Sequence, residues 1–421
     1  MNRKKNIHYA WWILLGLSII VGLGKGALNN SAGLFLPPVT KDLGIGTGNL
    51  SLYFSVSAIV TLIFLPIGGK LMAKYDPRLL LTVAIILQAG AFAMFGLMSS
   101  VWGWYLFAIP LAVGGVFITV IAGPVLISQW FKKNNGLALG ILSAAGGALG
   151  AIAQPIVGYL IANQGWRASY MLVGIAVIVI VVPVILLLIK KTPKEKGLLP
   201  YGAEESKGVG NPNAAEMSVQ GVTMAVAKKS SAFYALVIFF FLVTSIASFS
   251  MHIPTFLMNK GFDVAFAGNV MATYMIGVLV GSLIIGFLSD KIGTKNTAIL
   301  SMVVGLIGII LLLVSVSSTI AITIAVGMFG TISSSIGTLG PALASSLFGN
   351  KEYSQIYSNA SLGLAISSIV ALPAYGYVFD FTGSYNVVLI SIIIMLIINI
   401  IAVIVAFKGK KKLEQAGLWN K

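Results

Sequence analysis

Cysteine is absent from this 421-residue chain, and histidine occurs only as His8 and His252. No disulfide, thiolate metal site or cysteine nucleophile can form, and two distant histidines do not make a histidine metal centre. Charge is scarce as well: 9% of residues are Asp, Glu, Lys or Arg, where soluble domains carry about 25%. Acidic residues are the rarest, 11 against 27 basic ones, and each lies in or beside a loop of the reading below. A carboxylate proton relay deep in a membrane is therefore not expected. An enzyme is not expected either, because no nucleophile–base pair, metal cluster or phosphate loop is present. The glycine-rich stretch AAGGALGAIAQP lacks the preceding strand of a nucleotide fold. No cofactor and no metal is expected.

Apolar residues take up the space. The chain is 58% hydrophobic with a mean hydropathy of +0.98. Apolar stretches of about 20 residues are long enough to cross a bilayer as helices. They fall at 10–38, 49–72, 79–99, 101–128, 135–163 and 166–190. A second set falls at 232–258, 266–289, 296–315, 318–347, 353–380 and 384–407. The count is twelve. The first is read as a retained membrane helix, since no small-residue cleavage site follows a short apolar core.

The net charge of +16 is a topology signal, not a nucleic-acid footprint. Lys41, Arg167 and Lys260 fall between one set of span pairs, and Lys25 lies within a span. The rest of the 27 basic residues, from Arg3, Lys4 and Lys5 through Lys207 to Lys421, fall on the opposite side. The positive-inside rule makes that side cytoplasmic and puts both termini there, in a multi-pass protein of the cell membrane.

The chain also repeats. Pro37 and Pro254, Gly69 and Gly286, and Phe131 and Phe348 are each 217 positions apart, and Gly158-Tyr159 and Gly165 recur 218 positions on as Gly376-Tyr377 and Gly383. The expected fold is an all-α membrane protein, with twelve transmembrane helices in two parallel six-helix repeats around a central cavity. Its parts are a bundle at 1–190, a cytoplasmic linker at 191–231 rich in Gly, Pro, Lys, Glu and Ser, a bundle at 232–408 and a basic tail at 409–421. Paired repeats of this kind alternate access to a site near the membrane midplane.

These features resemble the major facilitator superfamily. Its loop signature, roughly G-x-L-x-D-R/K-x-G-x-R/K, stands complete at Gly286, Leu288, Asp290, Lys291, Gly293 and Lys295. The first-half copy, Gly69 to Arg78, is degenerate: Ala73 stands in the Asp place and Asp76 in the Gly place. The resemblance implies that the signature acid latches neighbouring helices, a role that Asp76 and Arg78 would have to fill in the first half. Trp130-Phe131, Gly136, Ala138, Gly140, Gly165-Trp166-Arg167, His252, Pro254 and Gly261 are similar to the oxalate:formate antiporter and monocarboxylate porter group. That group implies a small organic anion moved with a proton or in exchange. Members of it typically place a cation in helix 8 or helix 11; neither helix has one here.

Lys25 is the first candidate. It lies about 20 Å along its helix from Ala10, too deep to snorkel easily, and shares α-helical spacing with Gly22 and Asn29. It reads as an anion anchor or as a structural lysine on helix-end carbonyls. Thr244, Ser248 and His252 form a polar stripe, where His252 is a proton carrier or a neutral gate residue. Gln154, Asn269, Tyr274, Thr331, Ser335 and Tyr357 are hydrogen-bonding groups for substrate or for neighbouring helices. The small-residue pairs Gly136/Gly140, Gly146/Gly150 and Gly277/Gly281 are expected at a moving seam between the halves. The expected partners are a small organic anion, protons and the lipid bilayer, but no nucleic acid, with the chain acting as a monomer. A carrier of neutral or amphiphilic compounds, with Lys25 structural, is the alternative.

Overall fold

The computed structural model describes residues 7–203, 220–314 and 318–419. Arg3, Lys4, Lys5, Lys207, Lys421 and the linker stretch 204–219 lie outside the described residues.

Regular structure among the described residues is helical apart from two isolated backbone bridges. The long helices are α1 Tyr9–Leu43, α2 Thr47–Lys74, α3 Pro77–Leu97 and α4 Val101–Trp130. The helical run Asn135–Leu188 breaks at Gly165, whose φ of 77° and ψ of 163° no helix contains. Its arms, 135–164 and 166–188, are α5 and α6. Next come α7 Ser231–Asn259, α8 Val264–Ile292, α9 Thr294–Val314, α10 Thr319–Phe348, α11 Tyr353–Thr382 and α12 Asn386–Gln415. Among the described residues eleven continuous helices are long and apolar enough to cross a membrane, and the break at Gly165 makes twelve. In the second repeat Gly383, at φ 68°, separates α11 from α12 at the equivalent place.

Polar caps set several starts. Asp76 accepts from Arg78 N at 2.8 Å to open α3, Ser230 from Phe233 N at 3.3 Å to open α7, and Asp263 from Phe266 N at 2.7 Å to open α8. Each satisfies a backbone donor that the first turn leaves open. α12 runs on to Gln415, so most of the expected basic tail is a helical extension.

Contacts divide the chain into two compact units, Met1–Leu43 with Val56–Asn211, and Gly44–Ser55 with Pro212–Lys421. The start of α2 therefore belongs with the second unit, across the expected boundaries. In the first unit Phe35, Phe92, Phe95 and Tyr170 form a buried aromatic cluster, with Phe35 and Tyr170 stacked at 3.7 Å. In the second, Phe249, Phe256, Tyr375 and Tyr385 pack around His252. Within a bilayer such ring packing supplies contact that lipid-facing helices lack.

The linker, expected to be solvated, is docked at both described ends. Tyr201 N donates to Trp130 O at 2.8 Å, while Lys132 N donates back to Tyr201 O at 3.0 Å. Val222 N donates to Phe348 O at 3.0 Å, and Asn350 N to Gln220 O at 2.8 Å. Phe131 and Phe348 are repeat equivalents, so each end is tied to the corresponding helix end of its own unit.

Candidate functional site

The centre of α1 is not an α-helix. Gly22–Asn29 is a π-helix, in which hydrogen bonds close over five residues, as from Asn30 N to Lys25 O at 2.9 Å. Such turns are rare and tend to mark functional sites. Glycine permits it here. A Cβ on Gly26 would lie 2.6 Å from Gly150 N, and one on Gly22 would lie 2.2 Å from the Leu149 side chain. The glycine face thus lies against α5, while Lys25 and Asn29 are exposed. The expected face of Gly22, Lys25 and Asn29 is corrected: the wider turn rotates Gly22 away from the other two.

Lys25 is accessible, yet protein encloses its side chain on most sides. Its Cδ lies 3.6 Å from where a Gly146 Cβ would stand, so the stem crosses α5 at a residue without a side chain. Among the described residues, no hydrogen bond or ion pair reaches its ammonium.

Around the π turn sit two fully buried glutamines. Gln88 of α3 donates through Nε2 to Gly24 O and to Asn29 Oδ1, both at 3.1 Å. Gln154 of α5 donates through Nε2 to Asn30 O at 2.8 Å. A Cβ on Gly24 would lie 2.6 Å from Ile118, inside a second π stretch at Val116–Ile121 of α4. The two wide turns are neighbours. Sequence reading passed over Gln88; its one signal was an amide alone among the apolar residues of 79–99. The π stretches left no signal, since apolar residues continue through them.

In the second unit His252 is wholly buried. One ring nitrogen pairs with the Tyr385 hydroxyl and the other with Leu372 O, each at 2.8 Å. Nε2 must donate to a carbonyl, so neutral Nδ1 is left to accept from Tyr385. Tyr274 is buried and bonded to Ser333, and Ser335 is buried and bonded to Ser301 at 2.7 Å. Asn269 is exposed; Thr331 and Tyr357 are half-buried, Tyr357 stacking on Tyr353 at 5.6 Å. In the stripe, Ser248 Oγ bonds Thr244 O at 2.8 Å, within one helix.

Two of the glycine pairs pack inside their own units, while nothing lies within 4 Å of a Cβ on Gly140. Gly277 and Gly281 face Gly327 and Thr331 of α10, as Gly146 and Gly150 face α1. That corrects the expected seam: these close approaches lock helices of one unit together. Of the signature residues, Asp76 caps α3, and Arg78 bonds Ile189 O and Glu195, each at 2.8 Å. Asp290 is exposed, Lys291 lies 5.6 Å from the Phe287 ring centre, and nothing crowds Gly286; Gly293 ends α8 at φ 81°. Among the described residues Asp290 takes no ion pair or hydrogen bond. Trp166 and Arg167 meet Asp42 at 3.1 and 3.7 Å, tying the ends of α1 and α6.

Comparison with known proteins gives a consistent result. The sequence model of the Major Facilitator Superfamily matches residues 14–268 and 259–418. The uncharacterized MFS-type transporter YcxA of Bacillus subtilis (strain 168) is 22% identical, over 96% of this chain and 97% of its own. Monocarboxylate transporter 13 of Bos taurus is 24% identical, over 90% of this chain and 84% of its own. Among solved structures, a bacterial homolog of the human lysosomal transporter Spinster, inward-facing and occupied, aligns with a TM-score of 0.70 at 14% identity, covering 97% of this chain and 98% of that one. The nucleoside transporter NupG aligns with a TM-score of 0.68 at 14% identity, covering 96% and 98%. At such identities the structures establish the fold.

Proposed function

The chain belongs to the Major Facilitator Superfamily, whose members are membrane transporters and not enzymes, and from that premise we propose that it carries a small organic anion of the monocarboxylate kind by alternating access. The single observation behind this reading is Lys25: an ammonium partway along an apolar helix, enclosed by protein, accessible, and without a partner among the described residues. A charge taken from water costs several kcal/mol unless something compensates it. A substrate carboxylate supplies the missing partner. The exposed amide of Asn29, one turn on, is a second donor.

Transport occurs at the cell membrane with both termini cytoplasmic, a reading that rests on the basic residues of one side. Proton symport and anion exchange both fit. The closed partnership of His252 with Tyr385 and Leu372 favours a packing role for it, so in symport the proton would travel on Lys25 or on the substrate carboxylate. Gln154, Tyr274 and Ser335 have the same packing character. Asn269, Thr331 and Tyr357 keep accessible surface.

The test is uptake and counterflow of labelled lactate, pyruvate, formate and oxalate in proteoliposomes, with and without an inward proton gradient. Wild-type flux that Lys25→Gln abolishes supports the anchor, and the gradient separates symport from exchange. Flux indifferent to the substitution, or no anion flux at all, puts a neutral or amphiphilic substrate in its place.

A further inference from the structure

We propose that Gln88 is a positioning residue for the anion site, clamping the π turn of α1 and turning the Asn29 amide so that it and the Lys25 ammonium offer donors to one carboxylate. The inference deepens the anion reading and rests on it for the identity of the ligand; the clamp itself rests on geometry alone.

The geometry is specific. Gly24 and Asn29 stand five residues apart, the hydrogen-bonding interval of a π-helix and not of an α-helix. One amide nitrogen spans them, donating at 3.1 Å to each. An amide NH₂ has two hydrogens, and both are used. The orientation of Gln88 is fixed because Gly24 O can only accept. The orientation of Asn29 follows: it must turn Oδ1 to Gln88, which leaves Nδ2 as the free end. Gln88 is fully buried while Asn29 and Lys25 are both exposed, so the free donor belongs to an accessible residue one turn from Lys25.

Gln88 sits where α3 comes close to both α4 and the π turn. A Cβ on Gly114 of α4 would lie 2.7 Å from Gln88 N, and one on Gly24 would lie 3.3 Å from Gln88 Oε1. Among the described residues its own oxygen has no hydrogen-bond partner. A residue kept at that cost of an unsatisfied acceptor is there for what its nitrogen holds.

The test is a double-mutant cycle. Gln88→Met keeps the length and volume of the side chain and removes both donors; Asn29→Ala removes the oriented amide. In proteoliposomes each single change is expected to raise KM for the transported anion about tenfold, the loss of one hydrogen bond to a charged group, with maximal rate changed far less. The double variant is expected to match the singles, because Gln88 acts through Asn29. Additive KM effects, or a Gln88→Met variant that lowers only maximal rate and thermal stability, overturn the proposal. Hydrogen exchange by mass spectrometry gives a readout free of substrate: Gln88→Met is expected to speed exchange of the backbone amides at 25–30 and to leave α12 unchanged. If the wild type moves no anion, the anion reading falls, and exchange alone decides the clamp, unaltered protection at 25–30 overturning it.

Discussion

Asp380, near the end of α11, grips the start of α2 at Gly48. Its two carboxylate oxygens accept from Gly48 N at 2.7 Å and from Thr47 N at 2.8 Å. Tyr377, a turn earlier, bonds Asn49 Oδ1 at 2.8 Å. The helices can come this near because two glycines meet: a Cβ on Gly376 would lie 2.7 Å from the Gly48 backbone. A carboxylate at a helix N-terminus gains from both the open donors and the helix dipole.

Replacing that carboxylate should weaken the protein measurably. Asp380→Ala is expected to cost about 1 kcal/mol, the usual value of a lost N-terminal cap. Asp380→Asn is expected to retain part of it, since an amide offers one acceptor oxygen in place of two. Thermal unfolding of the detergent-purified protein checks both, and equal stability of Asp380→Ala and wild type would show that the contact contributes nothing.

Glycine substitutions should separate by what surrounds them. Gly26→Ala pushes a methyl against the Gly150 backbone, which cannot yield, whereas nothing lies within 4 Å of a Cβ on Gly140. Overpacking of that kind costs about 1–3 kcal/mol. The expected result is a loss of folded yield or transport for Gly26→Ala and near wild-type behaviour for Gly140→Ala, read by size-exclusion profile and flux.

The absence of cysteine makes accessibility testable one residue at a time. Asn29→Cys is expected to react with a charged, water-borne thiol reagent, while Leu28→Cys, at a position 1% exposed, is expected to stay unmodified. Equal labelling of the two would contradict the orientation of the π turn.

His252→Gln is expected to lower stability by about 1–3 kcal/mol, the cost of leaving buried partners unpaired. It should leave the pH profile of transport in the surviving protein unchanged. A profile that shifts or flattens would restore His252 as a proton carrier.

Much of this was legible in the residues. Spans are visible because each needs a long run of apolar side chains, and the family is visible in Gly286 to Lys295. Lys25 stood out because cations inside such runs are rare. What could not be read is rotation. When a helix is apolar on every side, its composition does not say which face meets a neighbour, so neither the partners of Tyr274, Ser335 and His252 nor the seating of Gly277 on α10 could be foreseen. The π turn is a further case: α-helical spacing put Gly22 beside Lys25, and an extra residue in the turn undid it. Gln88 went unnoticed because one amide in an apolar run is weak evidence until its acceptors are in view.

The wide turn at Gly22–Asn29 also has a consequence for insertions and deletions. An α-helix advances about 100° per residue, so losing one residue usually swings everything beyond it to a new face. A π stretch already holds a residue more than an α-helix needs. Deleting one residue there would let α1 relax to ordinary spacing with both flanks still facing their neighbours, at the sacrifice of the geometry around Lys25. The stretch is therefore the place along α1 where chain length can change without unfolding the bundle, and where such a change would trade transport for regularity.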